Sequence, residues 1–181
     1  MNHIIVEDKL RDTNPVPVVI AFTPNYFIPA STCLYSIFAS LDIEEQMHVI
    51  CLLSEELTDR LKQKIQLIGG ERAQYSFINL QGRLQNIYID AKYTEAASYR
   101  LLLPDLLPEY DKVMYIDCDI IVRNNLVKLY RSVDLGNHYL AAVFEAPMDF
   151  QLGHLKVIGC HPDEYVNSGF LIMNLCAHKG I

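Results

Sequence analysis

Asp117 and Asp119, in the run Tyr110-Asp-Lys-Val-Met-Tyr-Ile-Asp-Cys-Asp-Ile-Ile-Val122, are the residues of this sequence best suited to chemistry. On an extended segment, side chains two positions apart project to the same side, so both carboxylates can approach one cation. Mn2+ or Mg2+ takes such oxygens and keeps further positions for phosphate. As a Lewis acid it neutralises charge building on a diphosphate leaving group. Asp-x-Asp by itself also occurs in ordinary solvated turns. Here it follows the apolar segment 112–116 and precedes Ile120-Ile-Val122, where two like charges buried without a cation are costly.

The elements that must position this pair alternate. Residues 17–22 form a continuous apolar, β-branched run that reads as a strand buried on both faces, ended by Thr23-Pro24-Asn25. Residues 28–41 repeat apolar positions at helical spacing, with Pro29 tolerable in the first turn. A strand over 48–53 leads to a helix over 55–68, with Ser54 as its expected N-cap and Gly69-Gly70 as its stop. Residues 75–80 predict a third strand, and 96–107 a helix in which Pro104 is an anomaly. The strand over 112–116 then runs into the acid pair. Two further strand-like runs, 140–144 and 166–175, are separated by a polar, Pro-containing stretch over 147–162 that reads as a substrate-contacting loop. Such alternation predicts an α/β domain, a mostly parallel sheet flanked by helices, whose ligands sit beyond the C-terminal ends of the strands.

Around that expected mouth, Asn25 and Tyr26 stand just past the first strand, where a base could stack on the tyrosine and hydrogen-bond to the amide; an ordinary Pro-Asn turn is the plain alternative. Arg100 could pair with phosphate, although a lone helical arginine is more commonly solvated or in a structural ion pair. Asn167-Ser168-Gly169 interrupts an apolar strand, consistent with a close approach of backbone or ligand, or with a simple bulge. The six histidines show no metal-ligand spacing, and Cys160-His161 is too short to be a zinc site.

The bulk properties narrow the partners. The 181 residues are 51% hydrophobic and 20% charged, enough for one well-buried domain, and a net charge of −7 with no basic run excludes nucleic acid. Five scattered cysteines without a Cys-x-x-Cys pair fit reduced thiols in the cytoplasm. The apolar runs are too short to span a bilayer, and Glu7 and Asp8 stand where a signal peptide is apolar.

Four segments together resemble glycosyltransferase family 8: Val19-Ile-Ala-Phe-Thr-Pro-Asn-Tyr26, Ser98-Tyr-Arg-Leu-Leu-Leu-Pro104, Tyr110 through Val122, and Val166-Asn-Ser-Gly-Phe-Leu-Ile-Met-Asn-Leu175. That family includes bacterial lipopolysaccharide galactosyl- and glucosyltransferases and glycogenin. The resemblance implies a GT-A, Rossmann-like fold over residues 16–176, after a leader over 1–15 and before a chain end at 177–181. It also implies a retaining hexosyltransferase that moves glucose or galactose from a UDP-sugar to a glycan acceptor such as lipopolysaccharide.

Residue by residue, the resemblance makes Asp117 and Asp119 ligands of Mn2+ or Mg2+. Ala21, Phe22, Thr23, Asn25 and Tyr26 line the uridine pocket, Arg100 faces donor sugar or phosphate, and Cys118 meets the ribose through its backbone. Asn167 and Ser168 border the donor sugar, and Glu145 stands where the family often has an acid near the sugars. Two departures are visible. Thr23 and Pro24 replace two acids of the family's first loop, which predicts a weaker base contact. The family's third metal ligand, a histidine in a C-terminal His-Phe-x-Gly-like segment, has no counterpart, nor does the polar residue beneath the anomeric carbon. The expectation is therefore a chain truncated at its C-terminus that binds donor with weak or absent transfer, cytoplasmic and, in a longer form, peripheral to the inner membrane. A non-catalytic nucleotide-binding or interaction fragment is the alternative. A haloacid-dehalogenase-type phosphatase fits poorly, since its acid pair usually follows the first strand.

Overall fold

The computed structural model describes residues 14–84, 95–144, 152–157, 159–161 and 165–178. β1 (Val16–Phe22) has no charged side chain and is buried along its whole length, so it takes the interior of the sheet. β2 (Met47–Leu53) lies parallel on one side, with β3 (Ala73–Asn79) parallel beyond it. β4 (Lys112–Asp117) lies parallel on the other side. β5 (Leu140–Phe144) is the edge strand, antiparallel to β6 (Val166–Asn174), which runs antiparallel beside β4. The order β3-β2-β1-β4-β6-β5 is the expected mostly parallel sheet.

The helices follow the predicted places with informative departures. α1 (Phe27–Ala39) carries Pro29 in its first turn, where a missing N–H is tolerated. α2 (Asp59–Gln66) begins later than expected, and its N-cap is Thr58, not Ser54. Leu57 is drawn into the core, so the chain turns before it coils; Ser54 is buried, and its hydroxyl has no hydrogen-bond partner among the described residues. Gly69, at φ +84°, serves as the stop, and a Cβ there would lie 2.8 Å from the Phe38 ring.

The predicted helix over 96–107 is instead three short pieces: α3 (Glu95–Ser98), a 3-10 turn (Tyr99–Leu102) and α4 (Leu103–Leu106). Pro104 sits in the first turn of α4, where its anomaly disappears. α5 (Leu126–Ser132) starts on an Asn125 side-chain cap, whose oxygen accepts the Lys128 N–H at 3.0 Å. Within the stretch expected to be loop, residues Leu152–Val157 form a short helix, α6, and α7 (Leu175–His178) continues from β6.

Period-two alternation along the strands divides the core into two layers. Val18, Ile20, Val49, Cys51, Met114 and Ile116 pack with α1, α2 and α5. Val19, Ala21, Ile50, Leu52, Val113 and Tyr115 face the other way, against Ala96, Tyr99, Leu103 and Leu107. This second layer brings the Arg100 turn over the end of β4.

Candidate functional site

Asp117 is the last residue of β4 and pairs in register with Ala21 near the end of β1. Strand alternation places it on the same face as Tyr115, which is 1% exposed and whose hydroxyl donates to Asp117 Oδ1 at 3.1 Å. Burial, foremost, pushes the Tyr115 phenol far above its ordinary range, so the hydroxyl keeps its proton. The Arg100 guanidinium lies over the same ring, 4.4 Å from its centroid, and Nη2 donates to Asp117 Oδ1 at 3.0 Å. Its Nε donates to the Ala97 carbonyl at 2.7 Å and Nη1 to the Ser168 carbonyl. The arginine side chain is 11% exposed and the Asp117 side chain 37%, so this pair sits at the rim of the protein interior.

β6 closes the other side. The register between β5 and β6 slips between Ala142 and Val143, which pair with Leu171 and Asn167, so residues 168–170 form a bulge. The Gly169 N–H donates to Asn167 Oδ1 at 2.9 Å, and a Cβ at 169 would lie 2.8 Å from Asp117 Oδ2. The bulge and the close approach expected of this glycine therefore coincide. Its missing side chain makes the space that the aspartate occupies.

Beyond Asp117 the chain turns, so the pleat relating the two aspartates ends at the first of them. Cys118 turns into the α1 layer with Cys33, while Asp119 is exposed. Burial first, with Asp119 and Asp117 adding, pushes the Cys118 thiol up to about 11, and burial, then the neighbouring Cys118, pushes that of Cys33 up to about 12. The two carboxylates are an all-oxygen donor set of the kind a hard divalent cation takes. Among the described residues no group of three or more His, Cys, Asp or Glu side chains is gathered to hold a metal.

The remaining expected site residues fall into separate places. Phe22 is 1% exposed and packs in the α1 layer, so the structure does not bring its side chain to the mouth. Ala21 is buried beside Asp117. Thr23 caps the 3-10 turn Pro24–Tyr26, its carbonyl accepting the Tyr26 N–H at 2.8 Å, and Asn25 and Tyr26 are exposed there. No hydrogen bond joins them to the Asp117 cluster among the described residues. Asn167 and Ser168 are exposed beside it through the bulge. Glu145 lies outside the described residues. Arg100 is in an ion pair, as lone arginines commonly are, but with the aspartate of the motif itself. Tyr115 was not among the expected residues, although its place two positions before Asp117 on a strand is a readable signal.

A mostly parallel sheet, helices on both faces and an acid motif at the C-terminal end of an interior strand define the GT-A class of α/β fold. The family described as glycosyl transferase family 8 matches residues 17–179, and the chain belongs to that family. General stress protein A of Bacillus subtilis is 23% identical over 168 residues, 91% of this chain and 58% of that protein. Glycosyltransferase GlyE of Streptococcus pneumoniae is 30% identical over 108 residues, 58% of this chain and 26% of that protein. The galactosyltransferase LgtC, solved in complex with donor and acceptor sugar analogs, superposes with a TM-score of 0.74 at 25% identity. That superposition covers 91% of this chain and 59% of LgtC, so the chain spans less than two thirds of each of these relatives.

Proposed function

We infer that this chain carries the donor site of a retaining hexosyltransferase that uses UDP-glucose or UDP-galactose with Mn2+ or Mg2+ and transfers to a glycan such as lipopolysaccharide. One observation carries the reading: Asp117, held by Arg100 and Tyr115, stands at the sheet mouth in register with Ala21, a few residues before the exposed Asn25 and Tyr26. Asp117 and Asp119 are assigned to the cation, which when bound offsets charge on the departing diphosphate. Thr23, Asn25 and Tyr26 receive the uridine, Arg100 orients donor sugar or phosphate, and Asn167 and Ser168 border the sugar. The sugar–phosphate bond breaks, UDP leaves, and the acceptor oxygen bonds to the anomeric carbon on the same face, its proton passing to the departing phosphate oxygen. Family membership supports this reaction class, and the LgtC complex supports the pairing of donor and acceptor.

No disulfide joins the cysteines among the described residues, which suits a cytoplasmic setting, peripheral to the inner membrane in a longer form, and no helix among the described residues is long and apolar enough to cross a membrane. The test is calorimetric titration of UDP with and without Mn2+, beside an Asp119→Ala chain. Binding that needs both the metal and Asp119 is the expected result. Binding indifferent to both would sink the assignment.

A further inference from the structure

Asp117 presents two oxygens in different states. Oδ1 accepts from the Tyr115 hydroxyl at 3.1 Å and from Arg100 Nη2 at 3.0 Å. Oδ2 packs against the bulge, so close that a Cβ at Gly169 would lie 2.8 Å from it, and neither of the two donors reaches it. A carboxylate on a single-bond stem rotates unless something fixes it, and here both donors act on the same oxygen. Tyr115 does two things at once: its hydroxyl holds Oδ1, and its ring carries the guanidinium that supplies the second donor, 4.4 Å from the centroid. The ring alone would satisfy packing in this layer, because its neighbours there, Val113, Leu171 and Met173, are apolar. The hydroxyl is therefore in excess of what the core requires, and among the described residues it donates to the motif.

We propose that Tyr115 is a positioning residue, whose hydroxyl orients Asp117 so that Oδ1 is committed to the protein and Oδ2 is the oxygen offered to a divalent cation. This rests on the donor-site reading above and adds to it a residue that touches neither cation nor nucleotide. Groups that orient a metal ligand in this way typically account for about 10- to 100-fold in metal affinity.

The experiment titrates Mn2+ alone, and Mn2+ with UDP, into the unaltered chain, into Tyr115→Phe and into Tyr75→Phe, with a thermal melt of each metal-free chain. Tyr75 is a matched control, since its hydroxyl donates to the Ile68 carbonyl at 2.9 Å, away from the motif. Tyr115→Phe keeps the ring beneath Arg100 and is expected to lose about 10-fold or more in Mn2+ affinity. Tyr75→Phe is expected to change its melt without moving Mn2+ affinity. If Tyr115→Phe does not fold, Gly169→Ala presses on the same carboxylate from the Oδ2 side, and it is expected to weaken Mn2+ as well. Unchanged or tighter Mn2+ binding in the tested variant overturns the positioning role while leaving the donor site standing. A folded, unaltered chain that takes no Mn2+ with or without UDP overturns both readings.

Discussion

Arg100 Nη2 and Asp117 Oδ1 lie 3.0 Å apart, joining a 3-10 turn that precedes β4 to the last residue of β4. The same guanidinium reaches the carbonyls of Ala97 and Ser168, so one side chain ties three segments together. Lysine offers a single point charge where arginine offers a planar fork. Arg100→Lys is therefore expected to recover little of the stability lost in Arg100→Ala. Because the aspartate is partly solvated, that loss should be modest, about 1–3 kcal/mol in urea denaturation. A lysine variant as stable as the parent would contradict the fork.

His48 links the β2–β3 ladder to the turn before β4, through Nδ1 to the Tyr110 hydroxyl and Nε2 to Ser76 Oγ at 2.8 Å. Burial lowers its pKa below the ordinary 6.5, and Glu109 opposes this only in part. The unfolded chain then takes up the proton first as pH falls, so the contribution of His48 is complete above about pH 6.5 and declines below it, levelling off once the folded form is also protonated. Urea midpoints should fall between about pH 7 and about pH 5. His48→Gln should flatten that part of the slope.

Thiol chemistry should be divided by depth. Cys33 and Cys118 are buried with thiols raised to about 12 and about 11, Cys51 is raised further by complete burial, and Cys176 is exposed. Since the thiolate is the reactive form, a maleimide at about pH 8 should modify Cys176 first and Cys160 next. Mass spectrometry should find the other three labelled only after denaturation. Rapid labelling of Cys118 in the folded chain would show that the turn below the acid pair opens.

Gly69 and Gly70 are adjacent and both have positive φ, yet they should differ. A Cβ at 69 meets the Phe38 ring at 2.8 Å and Ala73 Cβ at 2.9 Å, whereas one at 70 meets nothing within 4 Å. Gly70→Ala is expected to cost about 1 kcal/mol from backbone strain alone, and Gly69→Ala about 1–3 kcal/mol more from overpacking. Thermal midpoints of the two variants provide the comparison.

Much of this arrangement was legible in the order of residues. Continuous apolar runs marked β1, β2 and β4, and alternation between strand and helix implied the parallel sheet, because those signals depend on local periodicity. The acid pair after an apolar strand marked the mouth for the same reason. What failed did so where local preference competed with packing. Ser54 has the chemistry of a cap, but burial of Leu57 moved the helix start to Thr58. The segment around Arg100 has helical spacing, but folds as three short pieces over the sheet.

By itself, the sequence determined the α/β class, membership in glycosyl transferase family 8 and the identity of the acidic pair, since each is written in residue type and near-neighbour spacing. Only the tertiary structure decided how Asp117 is used. Its partners Tyr115 and Arg100, the Ser168 carbonyl that accepts from the arginine, and Gly169 against the carboxylate come from β4, a turn before β4 and the bulge of β6. They meet because the antiparallel β6 runs back along β4, and because burial of Tyr99 and Leu103 sets the Arg100 turn over the strand end. Such contacts between residues distant in the chain depend on register and layer packing, which no local pattern encodes.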